Sequence, residues 1–95
     1  MDRAAVIQAF EFTFETFWQA FKKVVEAEGQ AAPFPRAAIA GAFQLGVIDD
    51  EDTWLDMIRD RNQTSHTYNE NVSQTIYANI RSHYVKAFQH VENKA

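Results

Sequence analysis

A single apolar stripe dominates the first third of the sequence and limits the folds that this chain can form. Its residues recur at steps of three and four positions, which is the spacing of one face of an amphipathic helix: Val6, Phe10, Phe14, Phe17, Trp18, Phe21, Val24 and Val25. No segment alternates with period two, as a half-buried strand would. The sequence therefore predicts an all-α fold that starts with a helix over about residues 2–28.

Three further helices are predicted after the first. Gly29 ends the first helix, and a second runs over about residues 35–45, from a proline in its first turn to Gly46. The acidic run at residues 49–52 is interpreted as the N-cap and first turn of a third helix rather than as a metal site. A fourth helix is predicted over about residues 68–92, with this apolar stripe: Val72, Ile76, Ile80, Tyr84, Phe88 and Val91.

Two positions are open to more than one interpretation. Phe12 lies about 200° around the first helix from Phe10, so it belongs to a second contact face or is a partly exposed aromatic. In the second helix, the small residues Ala38, Gly41 and Ala42 would let another backbone approach closely. Both features concern packing rather than chemistry.

Length, composition and charge narrow the class of protein. Ninety-five residues predict one domain, residues 1–95, and a hydrophobic fraction of 46% predicts that some apolar surface pairs with another chain. The net charge of −4 argues against whole-molecule attraction to nucleic acid, so a phosphate contact requires a local basic patch. The absence of cysteines fits a reducing compartment, and we find neither a signal peptide nor a membrane span. We expect a cytoplasmic protein.

The polar segment RDRNQTSHTYNE, residues 59–70, is the candidate site. Arg61 lies seven residues after Trp54 and four after Met57, so it continues the apolar stripe of the third helix and points toward a packed surface. Arg59 is predicted to be solvated. An arginine on a buried stripe requires a partner or a ligand, because an unpaired buried charge is costly.

A helix break is predicted within this segment. Residues 63–65 are mediocre helix formers, so the third helix should end near Thr64. Thr67 and Glu70 form a Thr-x-x-Glu capping box, which makes Thr67 the predicted N-cap of the fourth helix. On an unbroken helix Arg61 and His66 would lie about 140° apart, so only a break lets them converge.

Two interpretations of the segment remain open from spacing alone. In the first, Arg61, His66 and the free N–H groups of a helix start at Tyr68 form a phosphate site. In the second, Arg61 bonds the last carbonyls of its helix, and His66 and Tyr68 complete a polar turn. His66, His83 and His90 lack metal-ligand spacing, so neither a metal nor a cofactor is expected.

Three blocks of the sequence resemble the nucleotidyltransferase substrate-binding proteins, small members of the HEPN domain superfamily: IQAFEFTFETFWQAFKK, PRAAIAGAFQLGVID and WLDMIRDRNQTSHTYNE. The similarity covers about residues 3–88. Its specific part is an R-x4-H-x-Y motif, present as Arg61, His66 and Tyr68, with Asn62 directly after the arginine. The resemblance implies an antiparallel up-and-down helical bundle. Family members usually have a further helix before the FEFTFE block, so that N-terminal helix is expected to be missing or short here.

The resemblance also implies a homodimer whose motifs face each other, and a minimal nucleotidyltransferase partner encoded by a neighbouring gene in a toxin–antitoxin pair. In the favoured hypothesis the chain binds that partner, and Tyr68 accepts an adenylyl group from the partner's ATP. In the alternative it is a metal-independent ribonuclease: His66 accepts a proton, Arg61 stabilises the developing phosphorane charge, and Asn62 has a supporting role, orienting the substrate or bracing the turn. A third hypothesis is a dimeric helical interaction protein without a site.

Overall fold

The computed structural model describes residues 2–94, and within that range every regular element is helical. The elements are α1 (Arg3–Ala27), α2 (Pro35–Gln44), α3 (Glu51–Asn62), a 3₁₀ turn (Thr64–His66), α4 (Glu70–Asn79), a π turn (Ile80–Tyr84) and α5 (Val85–Lys94). The last three form one continuous rod, so residues 2–94 fold as four helical rods. The predicted all-α bundle is confirmed. None of the helices in residues 2–94 combines the length and apolarity that crossing a membrane requires.

The predicted stripe of α1 faces the core. Asp2 caps the helix, since its Oδ1 accepts a hydrogen bond of 2.8 Å from the backbone N–H of Ala5. Five residues of the stripe are buried together with Ile7: Phe10, Phe14, Trp18, Phe21 and Val25. Val24, at the edge of the stripe, is exposed, and Phe12 is 76% exposed. Phe12 is therefore a surface aromatic in this chain.

Trp54 of α3 joins the other rods to α1. Its ring centroid lies 4.9 Å from that of Phe21 and 5.6 Å from that of Phe17 on α1. It also lies 5.5 Å from the ring of Phe88 on α5. Such aromatic contacts stabilise a core beyond the area that they bury. The aromatic stripe of α1 thus sets where α3 and α5 pack.

The small residues of α2 allow it to pack closely on α1. Ala38, Gly41 and Ala42 are all buried. The loop that joins α1 and α2 contains Gly29 at a φ of 87°. This backbone region favours glycine, as the sequence predicted. A Cβ atom built on Gly41 would lie 2.6 Å from Cγ2 of Val25, closer than a real contact allows. The close approach therefore requires glycine at this position.

The predicted start of the fourth helix is wrong. α4 begins at Glu70, and its N-cap is Asn69, whose Oδ1 accepts hydrogen bonds from the N–H groups of residues 71 and 72. The hydroxyl of Thr67 instead donates to the carbonyl of Thr64 at 3.1 Å. Asparagine is the stronger N-cap residue, and here it displaces the threonine. α3 ends at Asn62, two residues before its predicted end.

The fourth rod is not a uniform α-helix, because the π turn interrupts it. Its apolar residues are spaced by four positions from Val72 to Phe88, and each such step advances an α-helical face by about 40°. Over four steps the face would drift by about 160°. The π turn accommodates one extra residue and keeps Ile76, Ile80, Tyr84 and Phe88 buried.

The contact between Gly41 and Val25 gives a test of the packing. Gly41→Ala should destabilise the chain by about 1–3 kcal/mol, because the new methyl group overlaps Val25. In the Val25→Ala background the same substitution should cost less, since the truncated side chain leaves room for the methyl group. Urea denaturation of the four proteins of this double-mutant cycle measures the coupling. Additive effects of the two substitutions would contradict the close contact.

Candidate functional site

Arg61 lies in the last turn of α3 and packs against α1. Its guanidinium carbon is 5.6 Å from the centroid of the Phe14 ring, within cation–π distance. Its Nη1 is 3.6 Å from Oε2 of Glu15, an ion pair longer than a hydrogen bond. The side chain is 30% exposed, so the prediction that Arg61 points toward a packed surface is confirmed.

The guanidinium of Arg61 retains unused hydrogen-bond donors. Its Nε is buried and has no acceptor among residues 2–94. A buried donor without an acceptor is uncommon and costs free energy. Because the distance to Glu15 is also long, the neighbours of Arg61 orient its guanidinium but do not use all of its hydrogen-bond donors. An oxyanion could accept hydrogen bonds from it.

Glu15 is fixed by two other residues of α1. Its carboxylate accepts hydrogen bonds from Nε1 of Trp18 at 2.8 Å and from Nε2 of Gln19 at 3.2 Å. These bonds, chiefly the one from Trp18, and then the charge of Arg61, lower the pKa of Glu15 below its usual value of 4.5. Glu15 is therefore a carboxylate at neutral pH and holds the guanidinium of Arg61 in place over the ring of Phe14.

A compact turn carries His66 and Tyr68. Backbone hydrogen bonds run from the N–H of His66 to the carbonyl of Gln63 at 2.9 Å, and from the N–H of Asn69 to the carbonyl of His66 at 3.0 Å. The His66 and Tyr68 rings meet edge to face, with centroids 6.0 Å apart. His66 is exposed and Tyr68 is 85% exposed. The turn thus presents an imidazole and a phenol side by side to solvent.

The helix terminus predicted to bind an anion is already occupied. The side chain of Asn69 accepts hydrogen bonds from the N–H groups of residues 71 and 72, and Glu70 places a carboxylate in the first turn of α4. Arg3 pairs with Glu70 at 2.6 Å. Tyr68 lies before this helix rather than in it. Any phosphate at the motif would therefore be bound by side chains, not by a free helix N-terminus.

The structure brings together only some of the predicted site residues. His66 and Tyr68 are in contact, whereas Arg61 makes no hydrogen bond or ion pair with either of them within residues 2–94. Asn62 is exposed at the end of α3. In the described part of the chain, no three histidine or acidic side chains are grouped to hold a metal ion.

Sequence reasoning missed Asp60, which is buried directly before the motif. Asp60 is 3% exposed, and its Oδ2 accepts hydrogen bonds from Oη of Tyr84 at 2.5 Å and from Nδ2 of Asn79 at 2.9 Å. Its Oδ1 accepts a bond of 3.2 Å from Nε of Arg59. Burial, and then the hydrogen bond to Asp60, raise the pKa of Tyr84, so its hydroxyl remains a donor at all physiological pH values. Arg59 is half exposed, as predicted, and also pairs with Asp56.

A surface hollow, separate from the motif, lies at the opposite end of α3. It has a volume of about 470 Å³ and is lined by Trp54, by His83 and His90 of the fourth rod, and by the loop before α3. His90 and Lys94 both contact the carboxylate of Asp49, each at 2.7 Å. The hollow is separated from Arg61 by most of the length of α3, so it is not part of the motif.

Comparison with known proteins places the chain in a family. The model of the family described as nucleotidyltransferase substrate binding protein like matches residues 1–95. The chain belongs to this family. The resemblance seen in the sequence is thereby confirmed.

Two relatives of this nucleotidyltransferase substrate-binding family member are informative. A protein of Haemophilus influenzae (strain ATCC 51907 / DSM 11121 / KW20 / Rd), named probable ribonuclease HepT, is 29% identical. The match covers 81% of this chain and 56% of that protein, so the chain spans little more than half the length of this relative. A crystal structure of a protein from Thermus thermophilus superposes with a TM-score of 0.86 at 34% identity, over 97% of this chain and 79% of that one. The shared fold confirms the helical bundle.

The hydrogen bond between Trp18 and Glu15 should depend on pH. Because the pKa of Glu15 is lowered in the folded chain, this interaction is fully present above pH 4.5 and is lost as the pH falls through the lower, folded pKa. The NMR shift of the Trp18 indole N–H should therefore titrate in that acidic range. In Glu15→Gln, which has no carboxyl group to protonate, the titration should disappear. A titration that persists in Glu15→Gln would show that another group holds the indole.

Proposed function

We propose that this chain is the binding partner and protein substrate of a minimal nucleotidyltransferase in a two-gene toxin–antitoxin system, and that Tyr68 accepts the adenylyl group. The observation that supports this most is the exposure of Tyr68, which is 85% accessible on a turn beside His66. A phenol that another enzyme modifies must be accessible from solvent. The family description, which refers to nucleotidyltransferase substrate binding, supports the same type of partner.

The chemistry of the transfer is a displacement at phosphorus. The Tyr68 phenol oxygen attacks the α-phosphorus of ATP held by the partner, a phosphotyrosyl bond forms and pyrophosphate leaves. The phenolic proton passes to a base, and the imidazole of His66 is the neighbouring group able to accept it. The product carries an anionic nucleotide beside His66, where it would cover the motif.

A second candidate function is metal-independent cleavage of RNA. It is favoured by the unsaturated guanidinium of Arg61 and by the name of the Haemophilus relative, a probable ribonuclease. The 2′-hydroxyl of RNA would attack the adjacent phosphorus and His66 would take its proton, while the 5′-oxygen leaves. Arg61 would stabilise the charge of the phosphorane, and Asn62 would orient the substrate or brace the turn.

The two functions are compatible within one homodimer. Cleavage requires a proton acceptor and a proton donor, and one histidine per motif supplies only one of them. In a homodimer with facing motifs, His66 of one subunit would act as base and His66 of the other as acid. Adenylylation of Tyr68 would then switch off cleavage by covering both His66 and Arg61.

Intact-mass spectrometry tests the modification. After co-expression with the nucleotidyltransferase encoded by the neighbouring gene, the wild-type chain should gain the mass of one or more adenylyl groups, and Tyr68→Phe should gain none. Tyr77→Phe is the matched control, because Tyr77 lies on α4 and, among residues 2–94, its hydroxyl forms a hydrogen bond only with Arg81. An unchanged wild-type mass without co-purification of the partner, or full modification of Tyr68→Phe, would contradict the proposal.

Substitution of His66 tests the ribonuclease. If wild-type protein cleaves single-stranded RNA, His66→Ala should lower the rate by about 10²–10⁴-fold through loss of general acid–base catalysis. His83→Ala is the control, since His83 is an exposed histidine in the hollow near Trp54, away from the motif. Equal activity of wild type and His66→Ala would rule out this role. If the wild type neither cleaves RNA nor co-purifies with a partner, only the third hypothesis remains, a dimeric helical interaction protein without a site.

A further inference from the structure

Asp60 is placed where a carboxylate is costly. It lies in the last turn of α3, at the end of the helix where the dipole disfavours negative charge, and only 3% of it is exposed. A buried carboxylate is tolerated when hydrogen-bond donors surround it. Three donors surround Asp60, and two of them, Tyr84 Oη and Asn79 Nδ2, come from the fourth rod.

The π turn brings the principal donor into place. Tyr84 is the last residue of that turn, and its ring stacks on Phe10 of α1 with centroids 5.2 Å apart. The stacking fixes the ring, and the turn directs the hydroxyl toward α3. Single π turns inside α-helices occur frequently beside functional sites. Tyr84 thus links three elements, since it belongs to the fourth rod, its ring stacks on Phe10 of α1 and its hydroxyl donates to Asp60 of α3.

The backbone of Asp60 also begins the turn that carries the motif. Its carbonyl accepts a hydrogen bond of 3.0 Å from the N–H of Gln63. The next carbonyl, that of Arg61, accepts a bond of 2.8 Å from the hydroxyl of Thr64. The side chain of Asp60 is thus anchored to the fourth rod, while its main chain anchors residues 63–64.

We propose that Asp60 and Tyr84 are a positioning pair for the motif. Their hydrogen bond fixes the last turn of α3, which holds Arg61 over Phe14 and sets the origin of the turn that presents His66 and Tyr68. Neither residue touches a substrate. The part of this inference that concerns activity rests on the proposed function, whereas the part that concerns order in residues 61–69 does not.

Amide hydrogen exchange of residues 61–69 provides the direct readout. Tyr84→Phe keeps the ring on Phe10 and removes only the hydroxyl, so exchange in this segment should accelerate about tenfold or more. Tyr77→Phe removes a hydroxyl of the same rod whose one hydrogen bond within the described residues is with Arg81, and it should leave exchange in residues 61–69 unchanged. Equal exchange in both variants and the wild type would overturn the proposal.

Rescue by a conservative variant separates hydrogen bonding from charge. In Asp60→Asn the amide oxygen can still accept from Tyr84 and Asn79, and only the half-exposed Arg59 loses its bond. Asp60→Asn should therefore stay within about threefold of wild type in exchange, whereas Asp60→Ala should match Tyr84→Phe. Should Asp60→Ala fail to fold, Tyr84→Phe gives the result instead. Protection lost to the same extent in Asp60→Asn and Asp60→Ala would overturn the positioning role.

Activity adds a readout that a purely structural role would not change. In whichever assay the wild type is active, Tyr84→Phe should lower kcat about tenfold or more and leave KM nearly unchanged, since the residue orients the motif without binding substrate. A normal kcat together with accelerated exchange would overturn the link to activity. If the wild type is inert in both assays, the proposed function fails, and the exchange measurements still decide whether Asp60 and Tyr84 order the turn.

Discussion

The aromatic stripe of α1 is the constraint on which the rest of the molecule depends. The rings of Phe17 and Phe21 pack against Trp54 of α3. Phe17 also stacks on Phe88 of α5, with ring centroids 5.0 Å apart. Phe10 stacks on Tyr84. Because a chain of this size buries a limited area, a few large rings on one helix determine the position of every rod that carries the candidate site.

The same helix connects the core to the motif through two routes. One side of α1 supplies Phe14 and Glu15, which hold the guanidinium of Arg61 without exhausting its donors. The other route runs from Phe10 through Tyr84 to Asp60, the residue before Arg61. The packed core therefore positions the motif, although His66 and Tyr68 themselves are exposed on a turn. Exposed side chains that are positioned by a packed core suit a site that reacts with another macromolecule.

Periodicity in the sequence predicted the helices and the direction of Arg61, because both follow from spacing along one helix. It predicted the wrong N-cap: the capping-box pattern pointed to Thr67, whereas Asn69, two residues later, caps α4. The four-residue spacing from Val72 to Phe88 was interpreted as an ordinary helical stripe, although its drift on an α-helix requires the π turn. Asp60 was missed because two of its three donors come from residues 19 and 24 positions away. Local patterns contain no information about such partners.

The side-chain N–H of Arg61 offers the most direct measurement of whether the motif binds a nucleotide. This Nε group is buried and lacks an acceptor among residues 2–94, whereas 30% of the Arg61 side chain is exposed. An oxyanion that binds the exposed part of the guanidinium should therefore shift the Nε signal in arginine-labelled protein. Titration with adenosine monophosphate should shift this signal and the His66 ring signals together, and both shifts should saturate. The ion pair between Arg61 and Glu15 should not prevent this binding. Shifts confined to the hollow near Trp54 and His83, or no shifts at all, would contradict an anion site at Arg61 and His66.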